Sequence, residues 1–434
     1  MKSILYSTVA IHRHAQEMAK TFSEKDRLGL WHTGWVHAPR QSGLGRTWEA
    51  VSAVVPFCKQ VTARRTMIDF EGKQVPLKMR WKTEMARIAL ENLPGGQRPG
   101  HLLWEWQEHQ LAQEAAKLLR QVKFTRYLGI EHGSLEALRE CKRMGIPTCL
   151  VFTSPHHSFL EKWSKIADPQ WRLGGHLGRD GEELMRRCHL RVEEEIVLAD
   201  LIRTNSDLTS RSLIEAGVNP KRVASVPLGA DLRGMRPFRP WRPDGKLRLM
   251  VSGQVSLRKG SLILLEAWKK LKPVQAELHF YGGVHLPKEK LAHLPESVFL
   301  HGNAGPEQVR EAYAQSQVLV FPTLCDGFGL VVPEAMVQGC AVLTTQNAGA
   351  ADWIQQGKNG WVVEAGSVEA MVAGLEKVMA SRKDLDEMRS RAQEMARQNS
   401  WEKFRADLRA TLTKHRGSEE HTSELQSRQY LVCR

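Results

Sequence analysis

Cysteine is scarce and shows no pairing pattern. Seven occur in 434 residues, at positions 58, 141, 149, 188, 325, 340 and 433, with no C-x-x-C among them. An odd number without close spacing argues against a disulfide framework and suits reduced thiols in a cytoplasmic protein. Long apolar runs are missing as well. Nothing approaches the roughly 18 uninterrupted apolar residues of a membrane-spanning helix. The opening MKSILYSTVAIHRH is interrupted by Tyr6, Ser7 and Thr8 and lacks a small-x-small cleavage site. It is therefore expected to be a buried first strand and not a leader. The seventeen histidines show no H-E-x-x-H or similar spacing, so no metal site is expected. G-x-x-x-x-G-K-[ST] is absent, and no G-x-G-x-x-G follows a strand-like run, which removes a Walker A loop and leaves an NAD site unsupported. Without a Lys/Arg run, an RNP-like motif or zinc-finger spacing, no nucleic-acid partner is expected.

What remains is an ordinary globular composition, 42% apolar and 25% charged, in a chain long enough for two domains. The net charge is +14 and unevenly spread: residues 1–240 carry 37 Lys and Arg against 26 Asp and Glu. Such a basic first half fits an anionic membrane surface or an acidic saccharide, and equally a soluble surface with no partner. Residues 417–434 (GSEEHTSELQSRQYLVCR) lack apolar periodicity and resemble the in-frame translation of a sequencing adapter; this tail is read as non-native.

Short apolar runs alternate with amphipathic stretches, which predicts βα units and a parallel sheet in each half. In the first half, strands are expected at Ser3–Val9, Leu28–His32, Ala53–Thr62, Thr148–Phe152 and Leu201–Thr204. Helices are expected at His14–Phe22, Leu102–Val122, Ser134–Met144 and Glu182–Ala199, with a flexible loop over 92–100. The Pro/Arg-rich stretch 233–245 reads as a linker. Beyond it the rhythm is regular: strands at Leu247–Ser252, Ala276–Tyr281, Val298–Leu300, Val318–Pro322 and Ala341–Thr344, with helices at Ser261–Leu271, Pro306–Gln315 and Pro333–Gln338. Leu385–His415 is expected as one closing helix.

The most informative segment is DGFGLVVPEAMVQGC, 326–340. Asp326 and Glu334 stand eight residues apart around Gly327-Phe328-Gly329. The glycines permit a tight turn and close approach to a ligand, and Pro333 suits the first helical turn that carries Glu334. The layout offers backbone N–H groups to a diphosphate, with an acid at each end to hold hydroxyls. SLRKGS (256–261) adds cations: Lys259, with Arg258, to neutralise phosphate, and Gly260 to bring the backbone close at a helix start. Either segment alone reads as a solvated turn; the two together point to a diphosphate leaving group. On the opposite wall, CLVFTSPHH (149–157) ends a strand in His156 and His157, where ligands of parallel sheets bind.

With LADLIRTNSDLTSRSLIEAGV (198–218), VPLGADL (226–232) and AGAADWIQQGKNGWVV (348–363), these segments resemble glycosyltransferase family 4, the retaining nucleotide-sugar transferases, from about Ala199 to Trp401. Asp326 stands where the family most often has Glu, Gln254 where Arg is usual, and Asp352 where Glu is usual. The resemblance implies an α/β GT-B fold, two Rossmann-like parallel-sheet domains facing a central cleft. The expected division is 1–232 on the acceptor side, a linker at 233–245, a donor domain over 246–400, and a helix at 401–416 crossing back. It implies transfer of a hexose-type sugar from a UDP- or GDP-sugar to a saccharide or lipid-linked acceptor. It further implies polysaccharide or envelope glycoconjugate assembly without a metal or cofactor, in a cytoplasmic enzyme, with a peripheral membrane position compatible with its charge. Gln254, Arg258, Lys259, Gly260, Gly327, Phe328, Gly329, Leu330 and Glu334 would hold the donor, Glu334 through the ribose. Asp326, His156 and His157 would face the sugar, Asp326 not as a nucleophile. Rival readings are a GT-B epimerase or phosphorylase, and a decayed scaffold that binds polyanions.

Overall fold

The computed structural model describes residues 3–415 apart from 10, 26, 38–61, 63, 64, 92, 94, 95, 168–172, 175, 176, 178, 179 and 242–244. Two parallel sheets organise the chain. The first contains β1 (Ile4–Thr8), β2 (Leu28–Thr33), β3 (Leu77–Met79), β4 (Arg126–Ile130), β5 (Thr148–Phe152), β6 (Leu201–Thr204) and β7 (Val223–Ser225), in the order β3-β2-β1-β4-β5-β6-β7. The second contains β8 (Leu247–Ser252), β9 (Ala276–Tyr281), β10 (Val298–Leu300), β11 (Val318–Phe321), β12 (Ala341–Thr345) and β13 (Gly360–Val363), in the order β10-β9-β8-β11-β12-β13. Strands such as VLVF and TCLVF are buried at every residue because helices cover both sheet faces. The strand order reverses between β1 and β4 in one sheet and between β8 and β11 in the other, the two points where such sheets open a crevice.

The expected α/β plan holds, and the elements expected between Leu247 and Thr344 fall within one or two residues of their predicted ends, while β13 and the helix Val368–Ala380 were not singled out. Ala53–Thr62, expected as a strand, lies outside the described residues except for Thr62. The three-residue strands β3 and β7 were too short to show a period. The long helix begins at Gln97, inside the expected loop, because Pro99 sits in its first turn where no N–H is needed. Among the described residues no helix is long and apolar enough to cross a membrane.

The closing segment is two helices, not one. The first (Leu385–Gln398) ends at Asn399, whose φ of −116° and ψ of 50° leave the helical region. Ala230 donates its N–H to Asn399 O at 2.8 Å, and Ala230 and Ser400 form a bridge. A Cβ on Gly229 would lie 2.5 Å from the Trp401 nitrogen, so only glycine admits this approach. The turn aims residues 401–415 at α1 (Arg13–Ser23) and at β4, where Arg126 donates to Leu412 O at 3.3 Å. There Arg405 meets Glu17 at 2.6 Å and Glu24 at 2.7 Å, and Phe404 lies under the Arg203 guanidinium at 5.0 Å. One apolar cluster follows the same path, from Tyr6 and Trp31 through Leu228 to Met336, Ala392, Trp401 and Phe404.

Arg405 and Glu17 are both buried, so removing the cation strands a carboxylate whose other partner is Arg13. Arg405→Ala is expected to cost about 3 kcal/mol in urea unfolding; a loss below about 1 kcal/mol would show that this pair does not hold the closing helix.

Candidate active site

The second sheet supplies one wall. After β8 the chain turns at Gly260, whose φ of +69° and whose position 1.8 Å (from a Cβ built there) to Pro322 O exclude any side chain. This packs α8 (Ser261–Leu271) onto the end of β11 and places Lys259 over the Phe321 ring at 5.3 Å. Lys259 forms a short ion pair with Asp326. Arg258, more exposed, donates to Cys325 O at 3.0 Å.

The Gly-Phe-Gly turn follows. Asp326 Oδ1 accepts from Phe328 N at 3.3 Å, and Phe328 is buried edge-on against Trp353 at 5.7 Å. Gly329 has φ +87°, and a Cβ there would lie 2.5 Å from the Phe321 ring. Gly349 N donates to Asp326 O at 3.0 Å and Ala350 N to Phe328 O at 2.7 Å, so the turn is pinned from the AGAADW segment. Glu334 lies in α10 (Val331–Val337) and approaches Tyr313 Oη at 3.4 Å. Glu334 is an exposed residue, yet crowding around its carboxyl desolvates that group and pushes it up to about 7, with Asp231 adding repulsion.

The first sheet supplies the other wall. Glu131, one residue past β4, accepts from Thr153 N at 2.9 Å, Thr153 Oγ1 at 2.7 Å and Ser154 N at 3.2 Å. Burial raises its carboxyl to about 7 despite these donors. Thr153 O in turn accepts from Asn205 Nδ2 at 2.6 Å. A Cβ on Gly327 would come 2.2 Å from Thr153 O, so the two walls touch through backbone. Ser206, which caps α7 (Asp207–Glu215) by accepting from Thr209 N, donates its hydroxyl to Gly327 O at 2.5 Å.

Two cavities flank this contact. One of about 790 Å³ is lined by His12, Arg13, Arg65, Trp104 and Glu108 from the first half and by Lys259, Asp326, Phe328, Gly329 and Leu330 from the second. The other, about 580 Å³, is lined by Thr153, His157, His189, Arg258, Asp326 and Gly327. Asp326 and Thr153 border both. Of the residues singled out from sequence, Gln254 is exposed after β8, while His156, Gly260 and Glu334 lie outside these two cavities. His156 is buried with its ring on Ser158 Oγ and Glu193, both at 2.8 Å.

Sequence reasoning did not single out Glu131, Thr153, Asn205 or Ser206, and it gave Trp104 no role. Their signal was position alone: each follows a strand at the open edge of the sheet, or faces it from a helix. Around the first cavity, burial holds the His14 imidazole down at about 3, so it is neutral. Burial alone would raise the Glu84 carboxyl, but Arg87 and Arg65, at 2.7 and 2.8 Å, override it and keep it charged.

Residues 237–398 match the family model described as glycosyl transferases group 1. Among curated proteins, the chain is 28% identical over 293 residues to the MMP α-(1→4)-mannosyltransferase of Mycolicibacterium hassiacum, covering 64% of this chain and 67% of that protein. It is 26% identical over 242 residues to the D-inositol 3-phosphate glycosyltransferase of a Nocardioides species, covering 48% and 53%. It is also 26% identical over 248 residues to the GDP-mannose-dependent α-mannosyltransferase of Mycobacterium tuberculosis, covering 55% and 58%. In the latter two the match spans little more than half of the relative. Among solved structures, HepE from Anabaena in complex with UDP and glucose superposes with a TM-score of 0.56 at 15% identity, over 95% of this chain and all of that one. Sucrose-phosphate synthase from Thermosynechococcus elongatus gives 0.56 at 14%, over 96% and 100%. The fold is GT-B, and the second half matches the group 1 glycosyl transferases over residues 237–398.

Glu131 yields a test of the wall it holds. Its folded pKa lies above the ordinary 4.5, so its protonated form stabilises the fold fully below pH 4.5, and that contribution is lost as pH rises through about 7. Glu131→Gln keeps the accepting oxygen and cannot ionise, so its urea midpoint is expected to match wild type near pH 4.5 and to exceed it increasingly as pH rises through about 7. Parallel curves would contradict the assignment.

Proposed function

We propose that this GT-B glycosyltransferase moves a hexose-type sugar, with retention of configuration, from a UDP- or GDP-sugar to a saccharide or lipid-linked acceptor. Polysaccharide or envelope glycoconjugate assembly is the setting in which such a transfer belongs. The observation that carries the reading is the meeting of Lys259, Asp326 and the Phe328–Leu330 segment in one cleft between the two sheets. Support for the donor class comes from neighbours: HepE was solved with UDP and glucose, and a mycobacterial relative is named for GDP-mannose.

Departure of a nucleoside diphosphate needs fixed positive charge in a site shielded from water. Lys259 is already held at the cleft by Asp326, so a bound diphosphate would exchange one anionic partner for another with little reorganisation. Arg258, on the side of the second cavity, adds a second cation. Glu334 would take the ribose hydroxyls from its place in α10. Asp326, engaged by Lys259 and Phe328 N, is poorly disposed to act as a nucleophile. The two-carboxylate scheme of glycosidases therefore does not apply; the acceptor would attack on the face the phosphate leaves, with that phosphate taking the proton. His12, Arg13, Arg65 and Trp104 would meet the acceptor. The basic first half is compatible with a peripheral position on an anionic membrane.

The test is transfer in EDTA from UDP-glucose, GDP-mannose and related donors to a panel of simple glycosides and lipid-linked saccharides, read as nucleotide release and product anomer. A retained α-linkage from one donor, lost by at least about a hundredfold in Lys259→Ala, is expected. Phosphate-dependent cleavage, or release of a 2-epimer without acceptor, would replace this reading with one of its rivals.

A further inference from the structure

Beside the second cavity, side chains from two separate segments converge without a role in the reading above. His156 and His157 end the loop after β5, and His157 opens α5 (His157–Ala167). Glu193 projects from α6 (Gly181–Leu198). His156 Nε2 lies 2.8 Å and His157 Nε2 2.7 Å from the same oxygen, Glu193 Oε1. His189, one turn before Glu193 on α6, stacks on His157 with centroids 4.2 Å apart and planes 9° apart. We propose that His156 Nε2, His157 Nε2 and the Glu193 carboxylate form a site for one divalent cation of the Zn²⁺ type, with its remaining position open toward the second cavity.

The donor set fits that class of ion: two imidazoles and one carboxylate are borderline ligands, and three protein ligands leave a position for water or substrate. The ligand atoms lie within 4.8 Å of one another. Bonds of about 2.0–2.1 Å require donor separations of about 3.3 Å. The present contacts of 2.8 and 2.7 Å are those of N–H···O bonds, so the ion would replace two hydrogen bonds and spread the donors by about half an ångström. His156 is also oriented as a ligand should be. Its backbone N–H is held by Ser212 Oγ at 2.9 Å, and its Nδ1 meets Ser158 Oγ at 2.8 Å, an outer partner that leaves Nε2 to the ion. An ion here ties α5 to α6 and fixes the 153–157 segment, which borders both cavities. It stands apart from Lys259 and does not take over the neutralisation of the diphosphate.

Full-length protein stripped with EDTA and titrated with Co²⁺ alone should bind one equivalent with the ligand-field absorption of a four-coordinate ion, displaced by Zn²⁺. Glu193→Gln and His157→Ala should each weaken binding by more than about tenfold. His279→Ala, in a separate histidine pair with His301, should leave it unchanged. The two ligand variants sit on different helices, so a folding defect in one leaves the other decisive. Absence of stoichiometric binding, binding that persists in both ligand variants, or loss with His279→Ala would overturn the proposal.

Discussion

The backbone contact between Gly327 and Thr153 is the constraint on which the site depends. At 2.2 Å from where a Cβ would stand, Thr153 O leaves room for a hydrogen and nothing larger. Every neighbouring interaction serves this approach. Asn205 holds the same carbonyl at 2.6 Å, Ser206 holds Gly327 O at 2.5 Å, and Glu131 fixes Thr153 and Ser154 from below. A sheet from each half thus presents its open edge to the other at a distance set by peptide groups, which lack the freedom of long side chains. Backbone groups placed this way act on a ligand without reorganising when charge develops.

Charge is arranged around that contact with economy. Lys259 and Asp326 neutralise each other in the cleft, while Arg65 and Arg87 share Glu84 on the far wall. The carboxyls of Glu131 and Glu195 are driven upward by burial, to about 7 and about 8. Both accept backbone N–H groups, Glu195 those of His132 and Ser134. Neutral or nearly neutral acids can occupy the first sheet's edge without opposing an anionic donor held across the cleft.

How much of this could be read from the sequence differs between the halves for physical reasons. In the second half, strands such as Leu247–Ser252 and Val318–Phe321 are largely apolar and lie close to glycine or proline, so their limits were plain. Lys259 and Asp326 were also legible, because their motifs are local. The first half hid more. β3 and β7 have three residues each, and the helix at Gln97 starts inside a Pro/Gly stretch that looks like a loop. Glu131 and Asn205 act through partners 22 and 52 residues away, a relation that no local spacing records. The histidine pair shows the same limit from the other side. A search for ligands at helical spacing finds nothing, since Glu193 lies 36 residues from His157 and meets it only through the fold.

The most direct test of the account is Gly327→Ala, assayed separately for nucleotide binding and for sugar transfer. The charged groups proposed to hold the nucleotide, Lys259 and Glu334, lie in the second half away from the Thr153 contact, and Gly327→Ala leaves both unchanged. Nucleotide affinity should therefore change by no more than about threefold, while transfer falls at least about a hundredfold, because even about 1 Å of misplacement can cost that much. Transfer at the wild-type rate in Gly327→Ala would contradict the claim that this backbone contact sets the cleft.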